Sequence, residues 1–223
     1  AYVAGGVVAL YGLGRGGYEA WTVTNPEADR ARRDQVGGSL VTEYSHIIGR
    51  ESYAHSVDAN LVKAIIRHES AAFERRLLTL WPSMKPGYAA NTVETIQSSF
   101  QGETASIGPA QMQMRRAREL EEMGYVTARG SESERRQALL NCETAAEYVA
   151  GMVQYVSDQL QTLNGYSDLT IEKQQRLILI AYNWGWTSDL RDELAKRGFE
   201  GMIEYSLYDN QTLDEYSRWS SEQ

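Results

Sequence analysis

The chain has 223 residues, of which 42% are hydrophobic and 23% are charged, and only four are proline. These values are ordinary for a globular protein and exclude a largely disordered chain, and the length suits one large domain with terminal arms. The formal net charge of −8 and the lack of a basic run argue against a nucleic-acid partner. The single cysteine, Cys142, excludes an internal disulfide and a cysteine-based zinc site.

The first 33 residues lack helical periodicity, and we expect them to form an N-terminal arm. Their apolar stretch, AYVAGGVVALYGLG, is interrupted by glycines and lacks the basic flank of a signal peptide. It is also too short to cross a bilayer. We therefore expect no stable membrane insertion in this segment, and we expect that residues upstream of Ala1 were removed.

Beyond the arm, apolar residues recur with the period of α-helices, and no convincing alternating strand run is present. This pattern predicts a mainly α fold. One helix is predicted from Asp34 to Ile48, and another begins after Ser56 or Asp58, which are both good N-caps. Residues 74–104 are interpreted as an insertion containing a Pro- and Gly-bearing loop.

The second half of the chain predicts further helices. The stretch MRRARELEEMG ends at Gly124, a plausible C′ glycine. Thr144 and Glu147 have the spacing of a capping box at the start of the next helix. The stretch KQQRLILIAYNWGW changes from polar to apolar, so we expect its end to be enclosed by other helices. Periodicity weakens after Gly198, which predicts a main domain over residues 34–198 and a tail over 199–223.

A carboxylate lies within an apolar helical stripe, because Glu69 follows Ile66 by three positions and precedes Phe73 by four. Desolvation would raise the pKa of Glu69, and a helix ending near Ser70 would add the negative end of its dipole. A carboxylic acid that stays protonated near neutral pH can donate a proton to a glycosidic oxygen. Glu69 is therefore a candidate general acid.

Two other interpretations of this stretch need to be weighed. Glu69 could be a structural residue paired with an arginine, for which the candidates are Arg67, Arg75 and Arg76. The adjacent His68 begins an HE pair like that of zinc proteases, but Ala72 stands where the second histidine would be. We therefore expect neither a metal site nor a cofactor.

Two later stretches could bind a sugar. In TASIGPAQMQM, residues 104–114, Gly108 forces a loop, and the Gln111 amide near a helix start suits a sugar hydroxyl or N-acetyl group. In AYNWGW, residues 181–186, Tyr182 offers a hydroxyl, and Trp184 and Trp186 offer flat faces to a sugar ring. Aromatic packing at a helix end is the alternative for the two tryptophans, as for Trp81 and Tyr88 of the insertion.

Taken together, the three stretches resemble the soluble lytic transglycosylase and goose-type lysozyme branch of the lysozyme-like superfamily. Residues 57–70 read VDANLVKAIIRHES, close to the family's VDPxLVxAIIRxES. SIGPAQ is similar to the family's SxxGLMQ, with Pro109 and Ala110 in place of Leu and Met, and AYN matches its third motif. The motifs occur in the family's order over residues 57–183, although ESAAF has one residue more than the family's ESxF.

The resemblance implies a lysozyme-like helical domain with a glycan cleft, and a peptidoglycan strand as the partner. The implied reaction cleaves the β-1,4 bond between N-acetylmuramic acid and N-acetylglucosamine and closes a 1,6-anhydro ring. A periplasmic, cell-envelope or extracellular location follows. The residues implied in catalysis are Glu69 and Tyr182, and those implied in substrate binding are Ser70, Ser106, Gly108, Gln111 and Asn183.

Three alternatives remain open. A goose-type muramidase would hydrolyse the same bond with a second carboxylate, for which Glu103 is the best candidate. The chain could also be the effector domain of a secreted antibacterial toxin, with an inhibitor or immunity protein as a further partner. A non-catalytic glycan-binding module is disfavoured, because such a module would not need Glu69 together with Gln111 and Tyr182.

Overall fold

The structure, a computed structural model, describes the backbone of residues 37–80 and 106–206, and side chains over 37–70 and 106–206. Within these ranges most residues lie in eight α-helices, which confirms the mainly α prediction. The predicted arm over residues 1–33 lies outside the described residues. The helices are α1 (37–43), α2 (Ser45–Ala54), α3 (Ala59–Leu80), α4 (Met114–Glu122), α5 (Glu132–Leu140), α6 (Cys142–Gln161), α7 (Ile171–Trp184) and α8 (Ser188–Tyr205).

Helix α6 forms the centre of the fold and packs against α2, α3, α4, α5 and α7. Its residues from Ala145 to Val153 are all buried except Glu147, which is half-buried. A helix that is apolar on nearly every face must be enclosed by other elements. The buried side chains of α3 and α7 meet this helix, so the two helices that carry Glu69 and Tyr182 are held against one common support.

The predicted capping box at the start of α6 is wrong. The helix begins earlier, at Cys142, where the Asn141 side chain accepts a hydrogen bond from the backbone N–H of Glu143 at 2.8 Å. Thr144 therefore lies in the first turn. Glu147 binds elsewhere, accepting the backbone N–H of Thr127 at 2.7 Å, because the loop before α5 supplies a donor that local sequence could not indicate.

The start of α3 follows the sequence, but its end does not. The Asp58 side chain accepts the backbone N–H of Asn60 at 2.8 Å, and α3 begins at Ala59 as expected. The helix then continues ten residues past Ser70 to Leu80, because no glycine or proline interrupts residues 71–80. It also includes the first residues of the predicted insertion. The helix therefore does not end near Ser70, and the condition under which its dipole would act on Glu69 is not met.

Other boundaries also shifted. The helix predicted from Asp34 to Ile48 is divided by a turn at Tyr44 into α1 and α2, and α2 continues to Ala54. Gly124, with φ of +78°, follows α4 as the predicted C′ glycine. The boundary predicted at Gly198 coincides with a kink inside α8, beyond which Met202 is still buried. Residues 207–223 of the predicted tail lie outside the described residues.

A short two-stranded ribbon precedes α4. Strand β1 (Ser106–Ile107) pairs antiparallel with β2 (Met112–Gln113). Each strand has only two residues, which is too few for an alternating pattern to be visible in sequence. The ribbon holds the intervening loop, residues 108–111, beside the core. Within the described ranges, no helix is both long and apolar enough to cross a membrane.

A buried ionic network joins α4, α5 and α6. The Glu121 carboxylate accepts hydrogen bonds from Arg135 Nε at 2.9 Å and Nη2 at 2.7 Å, and from the Tyr148 hydroxyl at 2.5 Å. Burial alone would raise the pKa of Glu121, but the hydrogen bonds from Arg135 and Tyr148 outweigh it and place that pKa below its ordinary value. The network ties the C-terminal end of α4 to α5 and α6.

Candidate active site

The three stretches singled out in the sequence meet in the structure. Tyr182, near the end of α7, donates its hydroxyl to the Ala110 carbonyl of the 108–111 loop at 3.1 Å. The Glu69 carboxylate of α3 is close enough to raise the pKa of the same tyrosine. Tyr182 thus bonds to the loop that carries Gln111 and lies within electrostatic range of the candidate acid.

Glu69 is half-buried rather than enclosed. Between Leu61 and Ser70, only Lys63 and Glu69 keep partial exposure, and every other residue is buried. The two are six residues apart, which separates them by about 120° around an α-helix. Glu69 therefore reaches the surface on a different side of α3 from Lys63.

Tyr182 has a strongly perturbed hydroxyl. Part of the residue remains exposed, but its hydroxyl is surrounded by protein. Burial first, and the nearby Glu69 carboxylate second, raise the pKa of Tyr182 well above its ordinary value of 10.0. The phenol therefore stays neutral at physiological pH and keeps its proton for hydrogen bonding.

The loop before α4 holds Gln111 in an unusual conformation. The Gly108 carbonyl accepts both the backbone N–H and the side-chain Nε2 of Gln111, each at 3.0 Å. These bonds hold Gln111 at φ of +45°, in the left-handed region that residues with a Cβ seldom adopt. Such strained residues cluster at binding and catalytic sites.

Gly108 is required by close packing as well as by its backbone angle. Its φ is +72°, and a Cβ at this position would lie 1.8 Å from the carbonyl oxygen of Leu139 at the end of α5. The Leu139 carbonyl belongs to the backbone, so it cannot move aside as a flexible side chain can. The loop therefore sits directly on α5, and the role of Gly108 within the described structure is to shape the loop.

The other predicted site residues differ in burial and in hydrogen bonding. Ser70 is buried, and its hydroxyl donates to the Arg67 carbonyl of its own helix at 3.4 Å. Ser106 is half-buried in β1, and Asn183 is exposed in the last turn of α7. Neither of these two side chains forms a hydrogen bond within the described part of the chain. Glu103, the candidate second carboxylate, lies outside the described residues, as do the side chains of Arg75 and Arg76.

The two tryptophans after Tyr182 have different surroundings. Trp184 packs edge-on against Tyr205 of α8, with ring centroids 6.3 Å apart, which is the packing alternative. Trp186 instead lines a groove together with Arg116 and Tyr155. The sequence identified Trp186 but not Arg116 or Tyr155. These two residues lie near Trp186 only because of the way α4, α6 and α7 pack.

Among the described side chains, no three or more of His, Cys, Asp or Glu are grouped so as to hold a metal ion. His68 is buried beside Glu69 on α3. Comparisons with protein-family models, with curated proteins and with solved structures found no match for this chain. A functional proposal therefore rests on the motifs and on the geometry that brings them together.

Proposed function

We propose that this protein is a lytic transglycosylase with a lysozyme-like fold, which cleaves the β-1,4 bond between N-acetylmuramic acid and N-acetylglucosamine in peptidoglycan. The convergence of Glu69, Tyr182 and the Gln111 loop carries the proposal. These residues come from elements far apart in sequence, yet they have the acid, phenol and amide that the resembling motifs supply in that family. The proposal places the protein in the periplasm, the cell envelope or outside the cell.

Glu69 performs the proton transfers in the proposed reaction. As the neutral acid, Glu69 protonates the glycosidic oxygen as the C1–O4 bond breaks. The resulting carboxylate removes the proton from the muramic 6-hydroxyl, whose oxygen forms the new bond to C1. No water is consumed, and Glu69 is protonated again at the end, so one carboxyl group suffices.

Tyr182 and Gln111 prepare the site for this chemistry. The neutral phenol of Tyr182 bonds to the Ala110 carbonyl and keeps the loop beside Glu69 without placing a second negative charge there. The adjacent Gln111 presents an amide that can bind sugar hydroxyl or N-acetyl groups. Both residues are thus in position before the substrate binds. Such positioning lowers the activation barrier, because less freedom is lost on reaching the transition state.

Mass spectrometry of purified sacculi digested with the full chain tests the proposal. Glycan fragments that end in 1,6-anhydromuramic acid, lighter by one water than hydrolytic products, are the expected result. Reducing ends would instead identify a muramidase that uses a second carboxylate such as Glu103. If no fragments are released, the catalytic proposal is wrong, and a non-catalytic module becomes the better explanation.

A further inference from the structure

A groove lies between the exposed side of α4, the middle of α6 and the segment that precedes α8. It encloses about 350 Å³, which is within the size range of small-ligand sites. Its walls include the indole of Trp186, the phenol of Tyr155, and the charged groups of Arg115, Arg116 and Glu119. The proposed reaction at Glu69 uses none of these side chains.

The side chain of Arg116, which forms one wall of the groove, is held in place by its neighbours. Only 13% of its side chain is exposed, and Nη1 bonds to Glu119 Oε2 at 2.6 Å. Gly185, with φ of +71°, lies directly against the guanidinium, since a Cβ there would be 2.0 Å from Nη2. The absence of a side chain at Gly185 thus creates the space in which Arg116 lies beside Trp186.

The chemistry of the groove favours a neutral polyhydroxylated ring. Two arginines and two glutamates, Arg115, Arg116, Glu119 and Glu122, line it and cancel one another in formal charge. An anionic ligand would meet the two carboxylates, and a cationic ligand would meet the two guanidinium groups. A sugar can lay its apolar face on an aromatic ring while its hydroxyls bond to the charged groups around the edge.

Two segments that carry candidate active-site residues also contribute residues to the groove. Trp186 follows Tyr182 by four residues, and Arg115 follows Gln111 by four residues. We propose that the groove is an additional saccharide-binding subsite, which takes an N-acetylglucosamine-type ring of the same glycan strand that is cleaved at Glu69. This inference rests on the proposed function for the identity of the strand, whereas sugar binding itself can be measured without turnover.

Isothermal titration of chitohexaose into the full-length Glu69→Gln chain tests the subsite without cleavage. Adding Trp186→Ala should weaken chitohexaose binding about tenfold, because the stacking surface is lost. Trp186→Phe should retain most of the affinity. Arg115→Ala, which alters a half-exposed side chain, should weaken binding severalfold while preserving the thermal melt. Tyr53→Ala, at an 88% exposed position on α2, is the control and should bind as the parent does.

The outcomes separate the two proposals. Equal chitohexaose affinity in the parent, Trp186→Ala and Arg115→Ala, or no binding by the parent, overturns the subsite. If these variants lose affinity but the wild-type chain releases nothing from sacculi, the saccharide site stands and the catalytic proposal falls. If Trp186→Ala fails to fold, the Arg115→Ala titration decides the result.

Discussion

At the residue scale, the hydroxyl of Tyr182 bonds to the 108–111 loop and lies near the candidate acid Glu69. It donates to the Ala110 carbonyl, and it lies close enough to Glu69 for the carboxylate to raise the pKa of the phenol. A charged phenolate at this position would repel the carboxylate that forms in the proposed reaction. Because the phenol is neutral, this repulsion is absent and the hydroxyl keeps its bond to the loop.

Tyr182→Phe should lower kcat about fivefold while leaving the fold unchanged. The substitution removes one hydrogen bond, worth about 1 kcal/mol, at the point where the loop meets the acid. Turnover of sacculi, followed by release of soluble fragments, measures the effect. Tyr166→Phe is the matched control, because it removes a buried hydroxyl that bonds to the Gln174 carbonyl, outside the candidate site. Equal losses in the two variants would show that the effect at Tyr182 is not specific.

The position of Glu69 was predictable from sequence, but its surroundings were only partly so. Helical spacing placed it among Ile65, Ile66 and other buried residues, and these are buried in the structure. A helix dipole would have contributed only if α3 ended near Ser70, and α3 continues to Leu80. Of the two effects considered, the structure retains only the partial burial of Glu69.

At the element scale, the 108–111 loop depends on the close approach of Gly108 to α5. Gly108→Ala should lower the free energy of unfolding by about 2 to 4 kcal/mol, because it combines an unfavourable φ with overlap against the Leu139 carbonyl. Turnover should also fall, since the loop holds Gln111. Urea denaturation measures the stability change.

Gly124→Ala is a matched control for this prediction. Gly124 has a similar φ of +78°, but no atom lies within 4 Å of the position that a Cβ would take. It should therefore cost only about 1 kcal/mol, from the backbone conformation alone. Equal destabilisation by the two substitutions would contradict the packing of the loop against α5.

Local signals predicted some element boundaries and missed those set by distant residues. Asp58 and Gly124 act on their own neighbours, and both mark helix ends as expected. Thr144 and Glu147 had an equally good local pattern, but Asn141 caps the helix and Glu147 bonds to the loop before α5. The two-residue strands of the ribbon were invisible because pairing, not pattern, defines them.

At the scale of the whole molecule, the Glu121 network holds α4, α5 and α6 together. The side chain of Glu121 is only 3% exposed, and its partners Arg135 and Tyr148 come from different helices. Glu121→Gln should destabilise the protein by about 3 kcal/mol, because it leaves the buried guanidinium of Arg135 without its counter-charge. Glu172→Gln, which breaks the exposed pair with Arg176, should change stability little.

The same network predicts a dependence on acid pH. The pKa of Glu121 in the folded protein lies below its ordinary value of 4.5. Its contribution is therefore fully present above about pH 4.5 and is lost as pH falls through the lower folded pKa. The stability difference between wild type and Glu121→Gln, measured by urea titration, should shrink below that pH. A constant difference down to pH 3 would contradict this assignment.

The fold class could be predicted from sequence, and the three motifs could be recognised there in order. The contact between distant motifs could not be predicted. Helical periodicity is local, whereas the contact between Tyr182 and Ala110 joins residues 72 positions apart. The network of Glu121 and the groove beside Trp186 were missed for the same reason. Charged residues such as Glu121 and Arg116 are usually solvent-exposed on helices, and only packing revealed their burial.

Turnover of purified sacculi by Glu69→Gln tests the central claim most directly. The substitution removes the proton donor and base but keeps the size of the side chain, so fragment release should fall to background, while circular dichroism and chitohexaose binding remain those of wild type. A folded Glu69→Gln chain that still releases 1,6-anhydro fragments at the wild-type rate would contradict the assignment of Glu69 as the catalytic acid.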